Sequence, residues 1–168
     1  MYPVPGHLGL SLLGNRCLRA RLFPVVLAGF APDVVDKCLS WVVHTAPYGR
    51  SFMHSLTGLV VCTALAFLFK GRSWGYSWGL GHFAHLVGDI SFIPWFYPFV
   101  DYSFPQDVNF LQPENVPRLW NPMPLVLESA LLLFVLVSYT KPVRDRWARF
   151  VPLGLAAIVA GVRLWVWR

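Results

Sequence analysis

Residues 81–89 read Gly81-His82-Phe83-Ala84-His85-Leu86-Val87-Gly88-Asp89, two histidines and an aspartate set into an apolar run that extends over residues 74–98. A run of that length is long enough to cross a bilayer as a helix. An ionisable group at membrane depth costs about 2.5–3.5 kcal/mol on insertion scales, so several in one helix need a shared reason. Working outward by apolar runs and breakers gives about six helical segments, over residues 6–18, 22–38, 54–69, 74–98, 122–140 and 150–167. The first is too short to span and the second is interrupted at Ala31-Pro32-Asp33. The last two are nearly pure hydrocarbon, and the Pro-rich polar stretch 101–121 precedes them. The expected fold is all-α: one domain over residues 1–168, an integral, multi-pass membrane bundle of about six helices.

Composition agrees with lipid as the solvent. Hydrophobic residues make up 56% of the 168 and charged ones 13%, where a soluble domain carries roughly 25% charged; mean hydropathy is +0.53. The net charge of +6 does not point to nucleic acid, because the basic residues form no stripe interleaved with aromatics. They fall in short clusters between apolar runs, as in cytoplasmic loops. Cys17, Cys38 and Cys62 match no zinc or disulfide spacing, and residues 1–5 show no charged start of a cleavable signal peptide.

Charge also orients the bundle. Placing Arg16, Arg19 and Arg21, then Lys70 and Arg72, then Lys141, Arg144, Arg146 and Arg149 on the cytoplasmic side makes the helices alternate consistently. Both termini then lie outside, with the 101–121 loop, where Asp101, Asp107 and Glu114 face only Arg118. The localisation expected is the inner membrane. Inside the apolar helices, Glu128 and Arg163 are expected to pair.

All five histidines, His7, His44, His54, His82 and His85, precede residue 86. In the topology just given, His7, Asp33, Asp36, His54, His85 and Asp89 converge near the outer side of the membrane. His85 and Asp89 stand four apart on one helix face, and His82 shares it. Each element has a bland reading: a polar helix contact for His85 and Asp89, a capped turn for Pro32-Asp33, a loop residue for His44. The combination is more specific, because a divalent cation consumes carboxylate charge and imidazole lone pairs together.

The ordered set His7…Pro32-Asp33-x-x-Asp36…Arg50-x-x-x-His54-Ser55…His85-x-x-x-Asp89 resembles the YdjM-type proteins, described as membrane-bound metal-dependent hydrolases. The resemblance covers about the first 100 residues. The same order is similar to the ligand order of zinc-dependent phospholipase C. It implies one metal held by an Asp of the Pro-Asp turn, His54, His85 and Asp89, with His7 on a neighbouring metal. No histidine follows His85, so the full three-metal cluster of that enzyme is not matched, and one or two Zn²⁺ ions are expected.

The function expected is hydrolysis by a metal-activated water, since bound Zn²⁺ lowers the pKa of water to about 7. Asp36 is read as a second-metal ligand or general base, and Arg50 as a holder of phosphate by paired hydrogen bonds. A site at this depth suits an amphipathic, lipid-like phosphoester as substrate, with the bilayer as its other partner. The rival readings are a metal carrier and a structural protein stapled by its metal. Structural zinc is closed by four protein ligands. Substrate and oligomeric state are not legible in the sequence.

Overall fold

A computed structural model describes residues 3–45, 49–90, 93–103 and 122–139, with Gly154 and Ala157. A π-helical turn, Pro3–His7, leads into α1 (Leu8–Leu18), followed by α2 (Leu22–Trp41), α3 (Leu56–Lys70), α4 (Arg72–Gly88) and α5 (Pro122–Tyr139). Among the described residues there is no strand, so the all-α expectation holds. Most of the expected sixth helix, most of the 101–121 loop and Arg163 lie outside them.

Local chemistry sets the boundaries. Arg19 closes α1 with φ +55, and the Arg21 N–H donates to Ser77 Oγ at 2.7 Å, tying the α1–α2 link to α4. Ser55 caps α3: its backbone is extended and its hydroxyl accepts the Gly58 N–H at 3.0 Å. Gly71, at φ +82, lets α3 turn straight into α4. Pro32 does not end α2, which continues as one helix of 20 residues. The proline costs one helical hydrogen bond, and the nearby Gly29 carbonyl is engaged by His85 Nδ1 at 2.8 Å. The fourth segment is shorter than expected, closing at Asp89 rather than residue 98. Gly88, Pro94 and Pro98 fall where helical hydrogen bonds would have to continue, and turns replace the helix there.

α4 is the hub, packed against α2, α3 and α1, while α5 lies against α1 and the π-helical turn. Leu10 and Leu13 of α1 meet Leu131 and Val135 of α5, and Arg16 donates to the Ser138 carbonyl at 2.7 Å. Glu128, one turn before Leu131 on α5, is buried. Burial is inverted relative to a water-soluble domain: among the described residues twelve polar or charged side chains are buried against ten hydrophobic ones. Leu22, Phe23, Val60, Leu68, Phe69, Val126 and Leu133 face outward, all more than half exposed. Nevertheless no helix, among the described residues, is long and apolar enough to cross a membrane. At 1.5 Å per residue the 15 residues of α3 reach about 22 Å, and α2 carries Asp33, Asp36 and Lys37.

Gly81 sets how closely α2 and α4 approach, because a Cβ there would overlap the Val25 carbonyl oxygen. A carbonyl inside a helix cannot step aside as a side chain can. Gly81→Ala is therefore expected to destabilise the fold by about 1–3 kcal/mol, and to displace His85 one turn away. Gly14→Ala is the matched control, since its Cβ would meet Val25 Cγ2 at an ordinary 3.5 Å. Thermal unfolding in detergent should show a lowered midpoint for the first variant and none for the second.

Candidate metal centre

The centre begins with a loop folded around one carboxylate. Asp36, fully buried in α2, accepts five hydrogen bonds from residues 51–54. Its Oδ2 takes the Ser51 N–H at 2.7 Å, the His54 N–H at 3.0 Å and His54 Nδ1 at 2.8 Å. Its Oδ1 takes the Ser51 hydroxyl at 2.9 Å and the Met53 N–H at 3.2 Å. An ionised carboxylate only accepts, so His54 Nδ1 carries a proton, and the ring when neutral offers its Nε2 lone pair. Asp36 was expected as a ligand or general base. Instead it holds the His54 loop, with both oxygens committed.

The same logic fixes His85. Its Nδ1 lies 2.8 Å from the Gly29 carbonyl oxygen, which can only accept, so the neutral ring presents its Nε2 lone pair on the opposite side. There it meets His54 Nε2 at 3.1 Å. At that distance the two nitrogens either share a proton in an N–H···N bond or stand on either side of a cation. Two imidazoles bound to one tetrahedral metal at about 2.0–2.1 Å place their nitrogens roughly 3.3 Å apart. The observed separation suits that arrangement.

Asp33 and Asp89 complete the surroundings. Asp33 Oδ1 lies 3.6 Å from His54 Nε2 and Asp33 Oδ2 lies 3.5 Å from His7 Nε2. Asp89 repeats this, with Oδ2 at 4.0 Å from His54 Nε2 and Oδ1 at 3.9 Å from His7 Nε2. Each carboxylate thus offers one oxygen to His54 and the other to His7. The His7 ring stacks on His85, centroids 3.9 Å apart. Ligand atoms of His7, Asp33, His85 and Asp89 all lie within 4.8 Å of one another, and all four residues are buried. Both His7 ring nitrogens and Asp33 Oδ2 have no hydrogen-bond partner among the described residues. Burying such groups unsatisfied costs about 1–3 kcal/mol each, so their convergence fits a bound cation. The donor set, imidazole nitrogen with carboxylate oxygen, is that of a borderline divalent ion such as Zn²⁺.

Asp89 reaches this point although it lies just past α4, because its N–H still bonds the His85 carbonyl at 3.1 Å and keeps the four-residue offset. His82 points away from the cluster. Its Nε2 donates to the Met53 carbonyl at 2.6 Å, bracing the loop that Asp36 holds. His44 is exposed, in a turn at φ +59, away from the cluster. Arg50 is at the edge, Nη2 3.6 Å from Asp89 Oδ2. Sequence reading missed Lys37, whose Nζ is 2.6 Å from Asp33 Oδ1; its signal was the i,i+4 spacing from Asp33.

A family model described as "YdjM inner membrane protein" matches residues 5–167. The match spans nearly the whole chain, which therefore belongs to that family. No curated protein and no solved structure matches it.

Proposed function

We propose that this member of the YdjM inner membrane protein family is a metal-dependent hydrolase, seated in the membrane as a multi-pass bundle and acting on a phosphoester of an amphipathic, lipid-like substrate. The observation that carries the metal reading is the convergence of buried donors from His7, Asp33, His85 and Asp89 within 4.8 Å of one another, with both His7 ring nitrogens unbonded among the described residues. His54 Nε2, 3.1 Å from His85 Nε2, adds a further donor, so the set would suffice for one or two ions. The membrane reading is supported by the family and by the inverted burial, with polar groups inside and large apolar side chains outward.

A divalent ion held there would act as a Lewis acid, bringing a bound water to a pKa of about 7. The chain's own share is orientation and proton transfer. Asp36 keeps the His54 ring fixed, and Gly29 does the same for His85. Asp36, with both oxygens engaged by residues 51–54, is not placed to take a proton, so Asp33 and Asp89 are the carboxylates that would hold the ion and could accept one.

Metal quantification on protein purified in detergent, paired with a phosphoester panel with and without chelator, tests this reading. The expected result is at least one equivalent of divalent metal, with hydrolysis abolished by chelation and restored by Zn²⁺. Protein that binds no metal at micromolar supply overturns the site. Stoichiometric metal without hydrolysis would favour the carrier or stapled-structure reading.

A further inference from the structure

Two cations stand at the rim of the metal centre, one on each of its carboxylates. Lys37 Nζ lies 2.6 Å from Asp33 Oδ1, the same oxygen that faces His54 Nε2. Arg50 Nη2 lies 3.6 Å from Asp89 Oδ2, again the oxygen that faces His54. Both side chains are mostly buried, 18% and 13% exposed, so their charges are little screened by solvent. The two carboxylates converge with His7 and His85 within 4.8 Å. A group bound at that point is therefore flanked by an ammonium and a guanidinium.

We propose that Lys37 occupies a metal-facing oxygen of Asp33 in the metal-free protein, yields it to the ion, and then serves with Arg50 to bind a phosphate group on the metal. This rests on the metal reading above and names the residues that would take the phosphate and the competition that releases one of them. A divalent ion on Asp33 Oδ1 would put two positive charges within about 4 Å of the ammonium, a separation at which partial burial leaves the repulsion strong. The ammonium therefore leaves that oxygen. Its tether stays in α2, one turn beyond Asp33, so it cannot go far. Trp41 offers a face for it, the ring centroid already 5.7 Å from Nζ. Released at the rim, Lys37 has three donors and Arg50 a planar fork. A tetrahedral dianion on the metal meets that pair well. A neutral ester or an amide would bring no charge to complement that pair.

Cobalt(II) makes both halves visible, since its visible spectrum reports on the ion and on anything that joins it. Wild type, Lys37→Met and Lys37→Arg, purified in detergent, would each be titrated with Co²⁺. Inorganic phosphate would follow in one arm and short-chain phosphatidic acid in another. Lys37→Met should bind Co²⁺ severalfold more tightly than wild type, having lost the competing ammonium. It should bind phosphate at least tenfold more weakly, and Lys37→Arg should restore most of that affinity. Tighter binding of the lipid than of inorganic phosphate would mark a lipid headgroup as the ligand, and equal binding a free phosphate. Unchanged phosphate affinity in Lys37→Met, or weaker Co²⁺ binding, would overturn the proposal and leave Lys37 as a helix ion pair. Wild type that takes up no Co²⁺ would instead overturn the metal reading beneath it.

Discussion

His54→Ala, His85→Ala and Asp89→Ala should each leave the purified protein with less than about a tenth of the wild-type metal content, while His44→Ala should leave it unchanged. Residues that merely support metal ligands cost about 10–100-fold in affinity when removed, so loss of a donor should cost more. His54 and His85 are the strongest cases, because their Nε2 atoms stand 3.1 Å apart with proton positions dictated by Asp36 and Gly29. Thermal unfolding gives a second readout. A ligand at 100 times its Kd stabilises the folded state by about 2.7 kcal/mol, an increment wild type should show on adding Zn²⁺ and these variants should not. Without metal, His85→Ala should still lower the midpoint, because it empties a buried space beside His7 and removes the donor to the Gly29 carbonyl. Equal metal content in all four variants would put the ion elsewhere.

How much of this was legible in the sequence depends on which interactions are local. His85 and Asp89 could be paired from spacing alone, as the helix offset survives through the last hydrogen bond of α4. His7, Asp33 and His54 were found because ionisable groups beside apolar helices are costly without a common partner. The roles of Asp33 and Asp36 could not be separated, since one helical turn apart they look equivalent. What distinguishes them is the loop of residues 49–55, which folds back over Asp36 and presents five donors to it. Loop return is a tertiary fact with no periodic signal. Lys37 went unread for a related reason: its pairing with Asp33 is ordinary on a helix and acquires meaning only beside His54. Helix ends were the least legible feature. The 74–98 run is apolar on both sides of Asp89, yet the helix ends at Gly88, and Pro94 and Pro98 disfavour its resuming.

Asp36→Asn should destabilise the protein by about 3 kcal/mol and weaken metal binding by about 10–100-fold, without abolishing it. The carboxylate faces only donors, so an amide NH₂ in either position meets at least one group with nothing to offer it. The better rotamer puts the amide oxygen where Oδ2 lies, keeping Ser51 N–H, His54 N–H and His54 Nδ1. The NH₂ then faces the Ser51 hydroxyl, which can rotate to accept, and the Met53 N–H, which cannot. One buried backbone N–H left unmade costs about 1–3 kcal/mol, and loss of the charge weakens the other bonds by roughly half. For a chain of this size that is a drop in Tm of about 6–12 °C, visible with or without metal. His54 keeps its tautomer through the amide oxygen, which is why affinity falls by the margin of a supporting residue. The competing roles predict otherwise. A ligand converted to Asn would lose its metal while leaving the metal-free Tm intact. A general base converted to Asn would keep both metal and Tm and lose only hydrolysis. A lowered metal-free Tm, reduced metal affinity and a Ser51→Ala variant showing a smaller loss of the same kind would together assign Asp36 to the loop that aims His54.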